Sequence, residues 1–267
     1  MSSEKQTWRL FTSASLLPDL EVALNEEEHH YAVHVLRLGA GDVVELSNGT
    51  GCIARAEFMR ADKKSAILKI RNVTEHTSPQ VCVHVFLGMP KPATLEEVAE
   101  LASELGATSL HVFRAARTQF KNEPKLEKLQ RQSREALRIN KSPFATDVHC
   151  YSNLNALFAA QVLQKCGLVL LCDESPLYAP DHSKDHAHMH NHIINVLQLH
   201  LKSSPQTLHV GIVIGPEASF TEEERAFFIE NTKAIPVTLG ARILRVPTAV
   251  AAAVSCVLGS LEAQFTP

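Results

Sequence analysis

The chain has 267 residues, 45% of them hydrophobic, and a formal net charge of −3, a length that suits one large domain or two small ones and a composition ordinary for a soluble globular protein. These numbers argue against a polycation, and no run reaches the ~20 apolar residues that a bilayer span requires. Six scattered cysteines without a CxxC pair (Cys52, Cys82, Cys150, Cys166, Cys172, Cys256) argue against a zinc knuckle or a disulfide framework and for a reducing compartment.

The opening residues MSSEKQTWRLF lack the apolar centre of a signal peptide, so a cytoplasmic protein with no membrane partner is expected. The first ~75 residues read as mostly β with one helix. Glu26 to Leu36 has a helical pattern with Tyr31, Val35 and Leu38 on one side, ended by Gly39 and Gly41. Val43 to Leu46 is a short strand, Ser47-Asn48-Gly49-Thr50-Gly51 a hairpin turn, and Cys52 to Met59 and Ser65 to Val73 alternate as strands. So many short strands in so little chain predict a small barrel.

A boundary falls near Glu75 to Gln80, after which strands and helices alternate. Strands are expected at Val81 to Leu87, Leu110 to Phe113, Leu168 to Cys172, Leu208 to Ile214 and Ile235 to Leu239. Helices are expected at Thr94 to Leu105 with Gly106 as its stop, at Pro124 to Asn140, at Ile193 to Leu201 and at the alanine-rich Ala249 to Leu261. This is an α/β pattern with a parallel sheet and helices on its faces. On the Pro124–Asn140 helix, Leu126, Leu129 and Leu137 share one side, with Lys128, Arg131, Arg134 and Arg138 opposite. From Arg114 to Lys141, nine basic residues against three glutamates leave +6, a local patch able to hold a phosphate backbone on an acidic protein.

Two C-terminal elements carry the chemistry. Gly215-Pro216-Glu217-Ala218-Ser219-Phe220 follows a predicted parallel strand, where open α/β sheets bind ligands, and Thr221 with Glu224 forms a capping box for the next helix. A plain strand–turn–helix connection reads the same way. Leu239-Gly240-Ala241-Arg242-Ile243-Leu244-Arg245-Val246-Pro247-Thr248-Ala249 combines a permissive glycine, a proline and a predicted buried loop with charged neighbours; a surface ion pair is the alternative role for either arginine. GxGxxG and the Walker motif are absent, which argues against dinucleotide and P-loop binding. Asp181 to His192 holds five histidines on a predicted loop; with no cysteine or fixed ligand spacing beside them, no metal site is assigned.

These two elements resemble the GPEGG and LG-x-RILR-x-ETA motifs of the RsmE family. His30, Val35-Leu36-Arg37 and Gly41-Asp42 resemble that family's HH…VLR…GD; Lys91, Glu97 and Glu104-Leu105-Gly106 its K…E…ELG; and Arg117-Thr118 and Glu135-Ala136 its Arg-Ser and EA positions. The chain departs from the pattern at Ala218-Ser219, where the motif has two glycines, and at Pro247, where it has glutamate. It departs also at Lys128-Leu129 and Arg138-Ile139, where the basic helix has Arg-Trp and Glu-Gln.

The resemblance implies a SPOUT-type parallel sheet with a C-terminal trefoil knot over residues 77–267, preceded by a PUA-like RNA-binding β-barrel over residues 1–76. It implies an S-adenosylmethionine (SAM)-dependent methyltransferase acting on N3 of a uridine in small-subunit ribosomal RNA, working as a homodimer. Cofactor contacts are implied at Leu171, Ile214, Gly215, Pro216 and Glu217, then at Leu239, Gly240, Ile243, Leu244 and Arg245, with Thr248 and Ala249 nearby. RNA contacts are expected from Arg37, Lys91, Arg114 and Arg117 and from Lys128, Arg131, Arg134 and Arg138. Arg245 or Arg117 would stabilise the uridine anion, and Glu217 would either accept its proton or anchor the knot. A SPOUT enzyme with another RNA target and a non-catalytic ribosome-assembly protein on the same fold are the alternatives.

Overall fold

The structure, a computed structural model, describes residues 7–63, 65–120, 122–173, 192–204 and 209–262. The chain divides into two compact units: Met1–Ser78 with Arg134–Ala145, and Pro79–Ser133 with Thr146–Pro267.

In the first unit, strands β1 (Arg9–Phe11), β2 (Glu21–Ala23), β3 (Val43–Ser47), β4 (Cys52–Ala61) and β5 (Ala66–Glu75) form a sheet in the order β1-β3-β4-β5-β2. β1 runs parallel to β3 and the remaining pairs are antiparallel. Alternation along β4 buries Ala54, Ala56 and Phe58 against Leu10, Val22, Leu46, Leu68 and Ile70. Two register shifts between β4 and β5 bend the sheet around this core. The predicted hairpin turn is held by Asn48, whose Oδ1 accepts from the N–H groups of Thr50 (2.8 Å) and Cys52 (3.0 Å).

Helix α1 (Glu26–His29), capped by Asn25, continues as a π-helix over His30–Val35. The wider winding, marked by the Leu36 N–H donating to Tyr31 O, rotates the face. Ala32 is therefore the buried residue, and Val35 is 56% exposed, contrary to the expected Tyr31–Val35–Leu38 side.

In the second unit, six parallel strands lie in the order β11-β9-β10-β6-β7-β8. They are β6 (Cys82–Gly88), β7 (Ser109–Phe113), β8 (Asp147–Tyr151), β9 (Leu168–Cys172), β10 (His209–Ile214) and β11 (Ile235–Val237). Both faces are covered, which explains the nearly continuous apolar strands. One face (Val83, Val85, Leu110, Val112, Val210, Ile212) packs under helices α2 (Pro92–Glu104), α5 (Ile193–Ser203) and α7 (Val246–Glu262). The other (Phe86, Phe113, Val169, Leu171, Val213) packs under α4 (Leu154–Ala159) and α6 (Glu222–Thr232).

Helix α3 (Leu126–Asn140) starts two residues later than expected and belongs to the second unit through Ser133 and to the first from Arg134. Leu129 and Leu137 are buried, but Leu126 is 38% exposed. Helix α7 begins at Val246, so Pro247 and Thr248 lie inside its first turn. Among the described residues, no helix is long and apolar enough to cross a membrane.

Candidate functional site

Sheet register brings the strand exits together. Val237, Cys172, Ile214 and Leu87 form one row across β11, β9, β10 and β6. The segments that follow them therefore emerge side by side at the C-terminal edge, and β10 and β6 mark the point where the chain order reverses.

The exits of β6 and β10 touch closely enough to require glycine. A Cβ on Gly88 would lie 2.5 Å from Pro216 Cδ and 3.0 Å from Pro216 N. The β10 exit then turns through Ser219, at φ 59°, whose N–H donates to Pro216 O (2.8 Å). Phe220 drops into the apolar layer, its ring 5.9 Å from that of Phe113 and 5.5 Å from that of Phe228. Thr221 and Glu224 close the expected capping box at the start of α6.

Polar ties join three exit loops. The Lys91 N–H donates to Glu217 Oε1 (3.0 Å), Arg117 Nη1 donates to Ala218 O (3.2 Å), and Thr118 Oγ1 donates to Met89 O (3.4 Å). Glu224, beyond its capping role, accepts from the Ala116 N–H (2.7 Å). Three sequence-predicted residues, Lys91, Arg117 and Glu217, thus meet in one hydrogen-bonded set, in which the Glu217 carboxylate accepts from the Lys91 backbone. Arg114 begins the same β7 exit, with its guanidinium donating to Phe120 O. Leu171 and Ile214 are buried at the ends of β9 and β10. Burial pushes the neighbouring Cys172 thiol up to about 12, which keeps it protonated and unreactive.

The segment after β11 is open. Gly240 adopts φ 125°, its N–H donating to Thr238 Oγ1 (3.1 Å) and its carbonyl accepting from the same hydroxyl (2.8 Å). Leu239 and Leu244 are half-buried against the core, and Arg245 and Thr248 are exposed, while Ala249 is buried in α7. Ile243 is 80% exposed, so the expectation of a buried loop is wrong there. Leu244, the next residue, is the one that packs against the core.

The basic helix supplies fewer surface cations than its sequence promised. Arg131 and Arg134 are exposed. Lys128 Nζ pairs with Glu96 Oε1 at 2.6 Å. Arg138 is no solvent-facing cation: its side chain is 11% exposed, and its guanidinium bonds Glu28 (2.6 Å), Glu135 (2.6 Å) and Arg9 O (2.6 Å) and lies 4.2 Å from the Tyr31 ring centre. That set consumes its donors, so the expected RNA contact at Arg138 is replaced by a structural one. Arg37 lies in the first unit, exposed, at φ 59°.

Sequence reasoning missed the second role of Glu224, and Asp173 and Arg225, which pair side chain to side chain in the interior. Opposite charges far apart in sequence give no local signal of such a pair. Among the described residues, no group of three or more His, Cys, Asp or Glu is placed to hold a metal ion. The histidine-rich loop lies outside the described residues, except for His192, whose side chain caps α5.

Two family models match this chain: an RNA methyltransferase domain over residues 76–258 and an RNA methyltransferase PUA domain over residues 24–71. The ribosomal RNA small subunit methyltransferase E of Bacillus subtilis is 30% identical, with 88% of each chain covered. The protein of the same name from Synechocystis is 28% identical over 98% of this chain and 80% of its own. Two solved structures share the fold. One is a methyltransferase from Legionella pneumophila with bound SAM (TM-score 0.78, 22% identity, 95% and 98% of the two chains covered). The other is a ribosomal RNA small subunit methyltransferase E from Neisseria gonorrhoeae bound to S-adenosyl methionine (TM-score 0.72, 18% identity, 95% and 97%). With a methyltransferase model matching most of its length and a relative matched nearly end to end, the chain belongs to the ribosomal RNA small subunit methyltransferase E family, the RsmE family that its motifs resemble.

Proposed function

We propose that the protein transfers a methyl group from SAM to N3 of a uridine in small-subunit ribosomal RNA. The observation that carries the reading is the tying of the β6, β7 and β10 exits around Lys91, Arg117 and Glu217 at the C-terminal edge of a parallel sheet. The names of its relatives support the RNA substrate, and the SAM-bound structures of the same fold support the donor.

The residues present fit SAM. Leu171 and Ile214 end β9 and β10 as buried apolar side chains in the cores of opposite sheet faces, and Gly215-Pro216-Glu217 and Leu239-Gly240 offer backbone-rich turns on either side of β9. A Cβ on Gly240 would meet nothing within 4 Å, so there is open space beside that turn. Ile243, Leu244 and Arg245, with Thr248 and Ala249 behind them, complete the set of proposed contacts. When bound, SAM supplies an electrophilic methyl group.

The protein's part is alignment and charge. Holding acceptor and donor in line accounts for up to ~7–11 kcal/mol of a barrier in favourable cases. Arg117 or Arg245 stabilises the charge that builds on the uracil oxygens as N3 loses its proton, because a guanidinium stays charged and offers a fork of donors. Glu217 anchors the loop through the Lys91 N–H. The target base leaves its stack to reach the donor. Residues 1–76 act as a PUA-like RNA-binding barrel and residues 77–267 as the methyltransferase domain with a knotted C-terminus. Arg37, Lys91, Arg114, Arg131 and Arg134 contact RNA, two copies pair through the alanine-rich α7, and the work is cytoplasmic.

Methyl mapping by mass spectrometry on small-subunit RNA from cells with and without the gene tests this. One uridine N3 methyl missing from the deletion strain is expected. Identical maps, or a missing methyl at another position, overturn the uridine-N3 assignment.

A further inference from the structure

We propose that Arg225 is a positioning residue for the methyl-donor loop, fastening the β10 exit to the β9 exit and holding Ser219 in its left-handed conformation. The inference rests on the reading of the 215–220 loop as part of the SAM site. A non-glycine residue at φ 59° is uncommon, and serine is not among the residues that favour it. The RsmE motif has glycine here, which adopts that φ without help. In this chain the Ser219 hydroxyl instead accepts a hydrogen bond from Arg225 Nη2 (3.1 Å).

The same guanidinium pairs through Nε with the Asp173 carboxylate, and the two side chains are only 8% and 4% exposed. Asp173 follows β9 directly and its N–H donates to Val237 O (3.2 Å), so it is itself tied to β11. One buried guanidinium thus spans the exits of two adjacent strands, by an ion pair to Asp173 and a hydrogen bond to Ser219, and the last residues of those strands, Cys172 and Ile214, are in register. Both exits carry proposed donor contacts, Leu171 on one and Ile214 to Glu217 on the other. The clamp replaces with a side chain what the motif achieves with a glycine.

The test is a cycle on Ser219 and Arg225, with SAM affinity read by calorimetry, the KM for SAM and kcat read in turnover, and folding read by thermal melting. Arg225→Lys keeps a charge against Asp173 but loses the second prong. In the Ser219 background it is expected to weaken SAM binding about tenfold, the scale of one hydrogen bond from a charged donor, raising KM while leaving kcat nearly unchanged. In the Ser219→Gly background the same change is expected to do little, because glycine holds the turn unaided. Equal losses in both backgrounds overturn the proposal.

If Arg225→Lys fails to fold, Ser219→Ala decides instead, because it leaves the Arg225–Asp173 pair intact. It is expected to bind SAM about tenfold less tightly than Ser219→Gly, and equal affinities overturn the clamp. Failure of the unaltered protein to bind SAM would refute the methyl-donor reading rather than the clamp. The clamp is then judged by melting temperature: Arg225→Lys destabilising the Ser219 protein more than the Ser219→Gly variant supports it, and equal shifts overturn it.

Discussion

At Gly88, the space for a side chain is already occupied by the Pro216 ring, since a Cβ there would lie 2.5 Å from Cδ. A proline ring cannot rotate aside, so Gly88→Ala must push two strand exits apart. A loss of about 1–3 kcal/mol of stability is expected from such overpacking, with weaker SAM binding; unchanged denaturant midpoint and affinity would show that the contact yields freely. Arg138 presents the opposite case, a buried cation that its neighbours need. With side-chain exposures of 11% and 5%, the Arg138–Glu28 pair is largely removed from water. Arg138→Met leaves the buried Glu28 carboxyl with only the Phe11 N–H (3.0 Å) as a partner among the described residues and is expected to cost about 3–5 kcal/mol. Adding Glu28→Gln should recover part of that loss, and a double variant no more stable than Arg138→Met would show that the ion pair is not its source.

The parallel strands were legible because strands buried on both faces are nearly continuous apolar runs, as Leu168 to Cys172 is and as Val81 to Leu87 is apart from His84. The three-residue edge strands β1 and β2, and the polar β8 with its Asp147 and His149, carry no such run. The π-helix defeated a 3.6-residue wheel at Val35, and the wheel on α3 took for solvent a direction in which Arg138 meets Glu28, Phe11 and Tyr31. At the site, the motif resemblance found Lys91, Arg117 and Glu217, whereas the Glu224–Ala116 and Arg225–Asp173 ties exist only once the strands are side by side.

Four strands also share a polar seam. Tyr151, His111, Ser109, His84 and His209 are linked by hydrogen bonds of 3.0, 2.8, 2.7 and 3.1 Å across β8, β7, β6 and β10. Each neutral imidazole offers one donor and one acceptor, so the chain runs in a single direction with both inner rings uncharged. Burial, then the nearby His209 and Lys165, lowers His84 to about 4; burial, then His149, His84 and Lys165, lowers His111 to about 3. The unfolded chain binds these protons below about pH 6.5 and the folded chain does not, so stability is full above that value and falls as pH drops toward 4. The slope reaches at most about 1.4 kcal/mol per pH unit for each ring, and less for the more exposed His84. Denaturant unfolding at a series of pH values checks this: a His84→Gln/His111→Gln variant should show a shallower fall between pH 6.5 and 4.5, and an unchanged slope would remove the seam as its cause.

Over the whole chain, a net charge of −3 coexists with a segment of +6. The count overstates the uncompensated charge, because Lys128 is paired with Glu96 and Arg138 is enclosed by Glu28 and Glu135. RNA affinity should therefore depend on salt less steeply than nine cations would require, since each phosphate contact contributes a slope of only about 0.7–0.9 in log–log form. Single substitutions distinguish the two kinds of cation. Arg134, exposed on α3, is expected to act on the phosphate backbone, so Arg134→Ala should weaken binding to all RNA sequences alike and lower the salt slope by about one contact. Its melting temperature should stay near that of the unaltered protein, because exposed charges contribute little to folding. Lys128→Ala should leave the salt slope unchanged, since Glu96 already neutralises that ammonium. Filter-binding titrations from low to moderate salt make the comparison, and equal slopes for Arg134→Ala and the unaltered protein would place the RNA on another face.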